Sequence, residues 1–204
     1  MKYISIIGAG SHTRSSINLL KYYFSDYDYG IYDNSFDNKN EEFIHNIKLQ
    51  GNLENIPQTS KLFLSIGDNE NRKIFFNEFY EKLIKKNLFH QTSYVENNSS
   101  FGVSNQVFAN VYINSFVIIG DDNIINTSAI LDHEVKIGNH NHISVGAKVC
   151  GRVHIGNNCF IGAGSIIIDK VSICDDVILG AGSVVIRDIN ETGTYVGNPA
   201  RKIK

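Results

Sequence analysis

Residues 131–149 read LDHEVKIGNHNHISVGAKV, and every sixth position in that stretch is a large apolar residue: Leu131, Ile137, Ile143, Val149. The beat continues both ways. Val95, Phe101, Val107, Ile113, Ile119 and Ile125 precede it, and Ile155, Ile161, Ile167, Ile173, Leu179 and Val185 follow, sixteen positions without a break. An α-helix repeats about every 3.6 residues and a strand every second residue, so neither yields this period. A solenoid does, because each short strand turns one large side chain inward before the chain bends. Two positions earlier the residue is mostly small or branched, as at Val117, Ala129, Val135, Ala147, Val153, Cys159, Ser165, Val171, Val177 and Ser183. Gly follows the large residue at Gly120, Gly138, Gly156, Gly162 and Gly180.

Residues 1–90 follow a different grammar. Tyr3 to Ile7 reads as a buried strand, Gly8 to His12 as a tight loop, and Thr13 to Phe24 as a helix with Ile17, Leu20 and Phe24 on one side. Tyr29 to Tyr32 is a second strand closed by Asp33-Asn34, and Asp37 to Asn40 is a polar loop. Leu62 to Ile66 is a further strand. Glu70 to Lys86 is expected to be one long amphipathic helix, with Ile74, Phe75, Phe79, Leu83 and Ile84 inward. This order predicts a small Rossmann-like parallel sheet flanked by helices. The chain therefore divides into an α/β domain, 1–90, and an all-β solenoid domain, 91–204.

Lys plus Arg is 19 and Asp plus Glu is 21, a net charge of −2. That balance argues against nucleic acid as a partner. No apolar run approaches the length of a membrane span and no signal-peptide pattern is evident, so a cytoplasmic protein without membrane insertion is expected. Cys150, Cys159 and Cys174 form no CxxC pair and read as reduced, small side chains.

The hexads resemble the repeat of left-handed parallel β-helix proteins. The resemblance implies a handedness opposite to the usual right-handed crossover. It also implies three hexads per triangular coil, so that residues 18 apart stack. One corner then carries Asp121-Asp122, Asn139-His140, Asn157-Asn158 and Asp175-Asp176, polar pairs expected to face water. A second, small and smooth, carries Val145-Gly146, Ala163-Gly164 and Ala181-Gly182. The third carries His133-Glu134, Gly151-Arg152 and Asp169-Lys170. Outward apolar residues at Ile124, Phe160, Ile166, Ile168, Ile178, Val184 and Ile186 predict a subunit contact, and a triangular prism suits a homotrimer.

His133 projects from a turn, Glu134 stands beside it, and Gly151 lies above it one coil on. A neutral imidazole accepts a proton near pH 7, and a carboxylate on its other nitrogen raises its basicity. Taken alone, the pair also reads as a solvated turn. The segment from Asn126 to Glu134 resembles the active-site segment of bacterial sugar acetyltransferases. Two groups fit: sialic acid O-acetyltransferases, and N-acetyltransferases of nucleotide-linked 4-amino-4,6-dideoxy sugars. The stretches His142 to Ala147, Asn158 to Gly162 and Gly197 to Arg201 resemble the same family. The resemblance implies that His133 is the general base and Glu134 its tuner. It implies that His142, Ala163 and Ala181 contact acetyl-coenzyme A, with Gly151 beside them, and that no metal is used. Asn126 is a candidate for positioning the sugar. His140 and His154 read as surface residues.

The loop Gly8-Ala9-Gly10-Ser11-His12-Thr13 follows a strand and opens a helix, where backbone N–H groups and the helix dipole favour phosphate. As a GxGxxG match it is weak, because Thr13 replaces the third glycine. The resemblance implies that this region holds the sugar nucleotide, through Gly10, Ser11, His12, Asp33, Asn34 and Gly67. The family loop commonly reads Gly-Gly-His-Gly or Ser-Gly-His-Gly, and this chain departs from it at two glycines.

The expected activity is transfer of acetyl from acetyl-coenzyme A to the amino group of a UDP- or dTDP-linked 4-amino-4,6-dideoxy sugar. O-acetylation of a sialic acid or related hydroxyl uses the same residues. A zinc hydratase on the same helix is disfavoured, since His133, His140 and His142 fall on different corners or walls. A trimeric binding scaffold is the non-enzymatic alternative.

Overall fold

A computed structural model describes residues 2–37 and 41–204; the polar loop expected at 37–40 falls outside them beyond Asp37. The chain divides into two compact units, Met1–Lys85 and Lys86–Lys204. In the first, β1 (Tyr3–Ile7), α1 (Ser11–Tyr23), β2 (Asp28–Tyr32), β3 (Phe43–Ile44), β4 (Ile47–Gly51), β5 (Lys61–Leu64) and α2 (Asn69–Glu78) follow in order. The sheet runs β3-β4-β2-β1-β5. All its pairings are parallel except β3 with β4. Its middle strands are nearly continuous apolar runs because both faces are covered, and Ile4, Ile6, Ile31 and Leu62 are buried. The strand order reverses at β1, which puts the crevice for a ligand at the carboxyl ends of β1 and β5.

Two expectations change here. The hairpin β3–β4 has no prediction, because Ile44, Ile47 and Leu49 sit in a largely polar stretch. The second helix stops at Glu78, followed by a short 3₁₀ turn, Tyr80–Lys82. Leu83 then pairs beside Leu62, and Ile84 N–H donates to Leu62 O at 2.9 Å. The sheet edge takes these apolar residues, so the helical spacing read over them is not used. Ile74, expected inward, is 56% exposed.

The second unit is a left-handed β-helix built from strands of mostly two residues, forming three parallel walls. One wall stacks Tyr94–Val95, Tyr112–Ile113, Ile130–Leu131, Lys148–Val149, Ile166–Ile167 and Val184–Val185. The next runs from Ser100–Phe101 to Ser172–Ile173, and the third from Leu88–Phe89 through His142–Ile143 to Val177–Leu179. Partners differ by 18 residues throughout, as in Ile125 with Ile143 and Ile143 with Ile161. The beat of six thus reaches back to Phe89. The inward large residues from Val107 to Val185 form one buried cluster with the small residues between them.

Each bend has its own sixfold mark. From Asn98 to Gly182 every sixth residue has a positive φ, twelve of them not glycine. Asn and Asp tolerate this left-handed conformation best, which explains Asn98, Asn110, Asp122, Asn158 and Asp176. The glycines before the polar corner answer a different demand. A Cβ on Gly120 would sit 2.2 Å from Asn139 Oδ1, and one on Gly156 would sit 2.2 Å from Asp175 Oδ1. Those oxygens accept turn N–H groups of the preceding coil: Asp121 N–H reaches Asn139 Oδ1 at 2.7 Å and Asn157 N–H reaches Asp175 Oδ1 at 2.7 Å.

The polar corner is therefore not simply wet. Asp122 is 2% exposed, and its Oδ2 lies 3.0 Å from His140 Nδ1, so His140 is not an ordinary surface histidine. Asn158 is likewise buried, with Nδ2 donating to Asp176 Oδ1 at 2.7 Å. Inside the prism, Asn105, Asn123 and Asn141 occupy the small inward position in successive coils, fully buried. Each side-chain oxygen accepts the backbone N–H one coil on, ending at Cys159 N–H with 2.7 Å. The apolar beat carries no sign of this ladder, because it lies on the alternate inward position. Ile124, expected to be exposed, is fully buried; Ile168, Ile178 and Ile186 are exposed.

Candidate active site

The bend after Ile130–Leu131 presents His133. Glu134 takes the left-handed conformation at φ 60°, which swings its carboxylate back toward the ring. Glu134 Oε2 lies 3.0 Å from His133 Nδ1. An ionised carboxylate only accepts, so Nδ1 donates and Nε2 keeps its lone pair. That atom faces Gly151: a Cβ there would lie 2.6 Å from Nε2 and 2.7 Å from the neighbouring ring carbon. Glycine is required because the imidazole occupies the side chain's place. The N–H of Gly151 has no hydrogen-bond acceptor among the described residues, unlike the equivalent group of His133, which Asp132 Oδ1 caps at 2.8 Å. Cys150 precedes Gly151 where Asp132 precedes His133, so no short acceptor side chain reaches back.

Around this pair the corner is dense with charge. Asp132 Oδ1 also accepts from Asn114 Nδ2 at 2.8 Å. One coil on, Arg152 makes a two-pronged pair with Asp169, Nε to Oδ1 at 3.1 Å and Nη2 to Oδ2 at 2.7 Å. The Arg152 guanidinium holds the Asp169 carboxyl below its ordinary range. Neither Asp132 nor the Arg152–Asp169 pair stands out in the sequence, because single charged residues in turns are the rule. The stacking interval of 18 places Asn114 next to Asp132, one coil before it.

The smooth corner is built by omission. Gly146, Gly164 and Gly182 have φ of 66°, 66° and 68°, and a Cβ on any of them would meet nothing within 4 Å. Twelve bends hold other residues in this conformation, so the fold does not demand glycine here. What glycine secures is a bare, flat surface beside Ala163 and Ala181. His142 lies on the adjoining wall, 8% exposed, its ring set edge-on against Phe160 at 5.1 Å. Asn126 Oδ1 accepts Thr127 N–H at 2.8 Å, which orients its Nδ2 to donate to His142 Nε2 at 3.1 Å. The His142 ring proton is therefore on Nδ1. Two residues assigned separately, Asn126 and His142, are one hydrogen-bonded unit.

In the N-terminal domain, Gly8 has φ +109° and would crowd Ser65 O with a side chain, so the strand can leave the sheet only through glycine. Thr13 Oγ1 donates to Gly8 O at 2.8 Å and ties the loop to α1. Gly10 caps that helix with its backbone alone, and beyond its own chain neighbours nothing lies within 4 Å of where its Cβ would be. His12 and Gly67 come together, 3.4 Å from His12 Cβ to the position a Gly67 Cβ would take. Asp33 is committed within the chain: it accepts from Ala9 N–H at 2.8 Å, Ser35 N–H at 2.8 Å and Ser35 Oγ at 2.6 Å. Burial pushes its carboxyl up, but the Ser35 and Ala9 donors outweigh that and hold it below the usual range. Asn34 Oδ1 lies 3.5 Å from Leu53 N–H. Arg72, fully buried, donates to the carbonyls of Ile66 and Gly67 and to Asn69 Oδ1 and fixes the second loop, a role no motif announced. Among the described residues, no group of three or more His, Cys, Asp or Glu is placed to hold a metal ion, and no helix is long and apolar enough to cross a membrane.

Comparison with known proteins matches both halves. Residues 3–79 match the PglD N-terminal domain, and residues 134–169 and 152–187 match the bacterial transferase hexapeptide (six repeats). No curated protein matches the chain. Among solved structures, a histidine mutant of perosamine N-acetyltransferase from Caulobacter crescentus, in complex with CoA and GDP-perosamine, is 28% identical. It superposes with a TM-score of 0.91 over 100% of this chain and 98% of that one. The acetyltransferase domain of PglB from Neisseria gonorrhoeae, in complex with acetyl coenzyme A, is 25% identical with a TM-score of 0.85 over 99% of each chain. WeeI from Acinetobacter baumannii, 17% identical with a TM-score of 0.84 over 100% of each, shares the fold.

Proposed function

Because the chain belongs to the bacterial sugar acetyltransferases of the hexapeptide-repeat, left-handed β-helix family, we propose that it transfers acetyl from acetyl-coenzyme A to the amino group of a nucleotide-linked 4-amino-4,6-dideoxy sugar. One observation carries the reading: the His133 ring lies over Gly151, with Glu134 on Nδ1 and Nε2 left as acceptor. In this reading His133 Nε2 takes the amine proton as nitrogen attacks the thioester carbon, and Glu134 stabilises the imidazolium. The uncapped N–H of Gly151 is the donor for the developing oxyanion. The bare corner at Gly146, Ala163-Gly164 and Ala181-Gly182 suits the thin pantetheine arm of acetyl-coenzyme A, with His142, steadied by Asn126, at its side. Gly10, Ser11, His12, Asp33, Asn34 and Gly67 serve the sugar nucleotide; the helix N-terminus at Gly10 offers N–H groups to phosphate, and Asp33 shapes the loop from beneath.

The His133 corner and the bare corner bound opposite edges of one wall, separated by a six-residue strand and turn of up to about 20 Å. A homotrimer brings the bare corner of one copy to the His133 corner of the next, with Ile168, Ile178 and Ile186 as its apolar contacts. Sedimentation at micromolar protein is expected to give three chains per particle, and a stable monomer would defeat this arrangement. The nucleotide is tested by thermal shift with UDP-, dTDP- and GDP-linked 4-amino-4,6-dideoxy sugars, the last included because the Caulobacter enzyme was crystallised with GDP-perosamine. The cognate ligand at a hundredfold excess over its Kd adds about 2.7 kcal/mol. The reading fails if none of the three shifts the melt and none releases thiol from acetyl-coenzyme A.

A further inference from the structure

Asp132 Oδ2 lies 4.0 Å from His133 Nε2. That is too long for a hydrogen bond, and with the ring proton on Nδ1 both atoms are acceptors. Two acceptors thus face each other across a gap. A nitrogen about 2.9 Å from each would see them ~90° apart, near the spread of two N–H bonds on one amine. The carboxylate is not free to turn away. Its other oxygen accepts His133 N–H at 2.8 Å and Asn114 Nδ2 at 2.8 Å, one from its own turn and one from the coil before. Among the described residues nothing hydrogen-bonds to Oδ2.

We infer that Asp132 is the residue that selects an amine over a hydroxyl acceptor; the inference rests on His133 as the base proposed above. A neutral primary amine has two hydrogens and one lone pair. It donates one hydrogen to His133 Nε2 and the other to Asp132 Oδ2, which leaves the lone pair for the thioester carbon. The C–N bond forms as one proton passes to Nε2. The C–S bond breaks as the tetrahedral intermediate collapses, and the imidazolium returns that proton to the leaving sulfur. The second hydrogen stays on nitrogen, against Asp132, and becomes the N–H of the product amide. A hydroxyl has one hydrogen. Given to His133, it leaves an oxygen lone pair facing the Asp132 carboxylate, and an unpaired, mutually repelling contact of this kind disfavours the hydroxyl acceptor.

The test uses the full chain, acetyl-coenzyme A, and nucleotide-linked 4-amino-4,6-dideoxy sugars alongside their 4-hydroxy counterparts, with thiol release as readout. Asp132→Asn keeps an oxygen for Asn114 and His133 N–H but turns the second acceptor into a donor. It is expected to lower kcat/KM for the amine about 10- to 100-fold and to narrow the amine-to-hydroxyl preference by a similar factor. The KM for acetyl-coenzyme A and the melting temperature should stay near those of the wild type. Asn114→Ala leaves Asp132 in place but unclamped, and should narrow the preference in the same direction by a smaller factor. If Asp132→Asn keeps the wild-type preference, or loses both acceptors equally, the inference is wrong while the proposed function stands. A wild-type chain that acetylates none of the amines overturns both.

Discussion

The two corners that bound one wall of the prism use the same backbone to opposite ends. At Glu134 and Arg152 a left-handed bend carries long charged side chains, and the neighbouring residues lock His133 into a single pose through Glu134, Asp132 and Gly151. At Gly146, Gly164 and Gly182 the same bend carries nothing, and the space beyond is open. Since the conformation is equal, the difference is not a folding requirement. In the proposed function, one corner holds a reactive atom still and the other lets something lie flat. A repeat that looks uniform along the chain is specialised by what each column of residues adds or withholds.

His133→Ala tests the crowded corner most severely. Turnover should fall by about two to four orders of magnitude, the scale of a general base, with the melting temperature almost unchanged because the ring is half exposed. Near-normal turnover would strip this corner of its special status. Gly151→Ala should come next. The three atoms nearest the new methyl all belong to the movable ring of His133, so the ring shifts before the backbone does; a displacement on the order of 1 Å costs about a hundredfold in kcat. Steady-state rates that hold at wild-type level would mean that the ring's seat over Gly151 does not matter. The mildest effect is expected at the bare corner. Gly164→Ala adds a methyl where this chain has nothing, at a backbone cost of roughly 1 kcal/mol. The KM for acetyl-coenzyme A should rise about three- to tenfold with kcat nearly constant, the mark of lost uniform binding. An unchanged KM would return that corner to the status of an idle surface.

Most of this contrast was legible beforehand. A strict period survives any local disturbance, so Leu131, Ile137 and Ile143 announce the coil, and stacking at 18 residues sorts the corners. Glycine pairs and a His-Glu pair are conspicuous by residue type. The rest depends on geometry that residue type does not encode. Asp122 and His140 look like solvated turn residues until their 3.0 Å contact and burial are seen. The Asn105–Asn123–Asn141 ladder lies on the alternate inward position and leaves the sixfold apolar pattern intact. Leu83 and Ile84 continue a helical spacing, yet the open edge of β5 takes them into sheet pairing, because tertiary contact outweighs a weak local preference. Asn126 and His142 are 16 residues apart, off the stacking interval, and only the folded coil joins them.

The C-terminal end has a consequence for how the protein behaves in a crowd. Gly193–Val196 adds one more parallel strand to the third wall, and Arg201–Lys202 then returns antiparallel to it. A parallel coil offers its last edge as a template for another like it, and identical prisms stacked end on end would grow into a filament. The reversed, cationic strand breaks that copying rule, in direction and in charge. It opposes growth along the axis and leaves the walls for the sideways association of the proposed trimer.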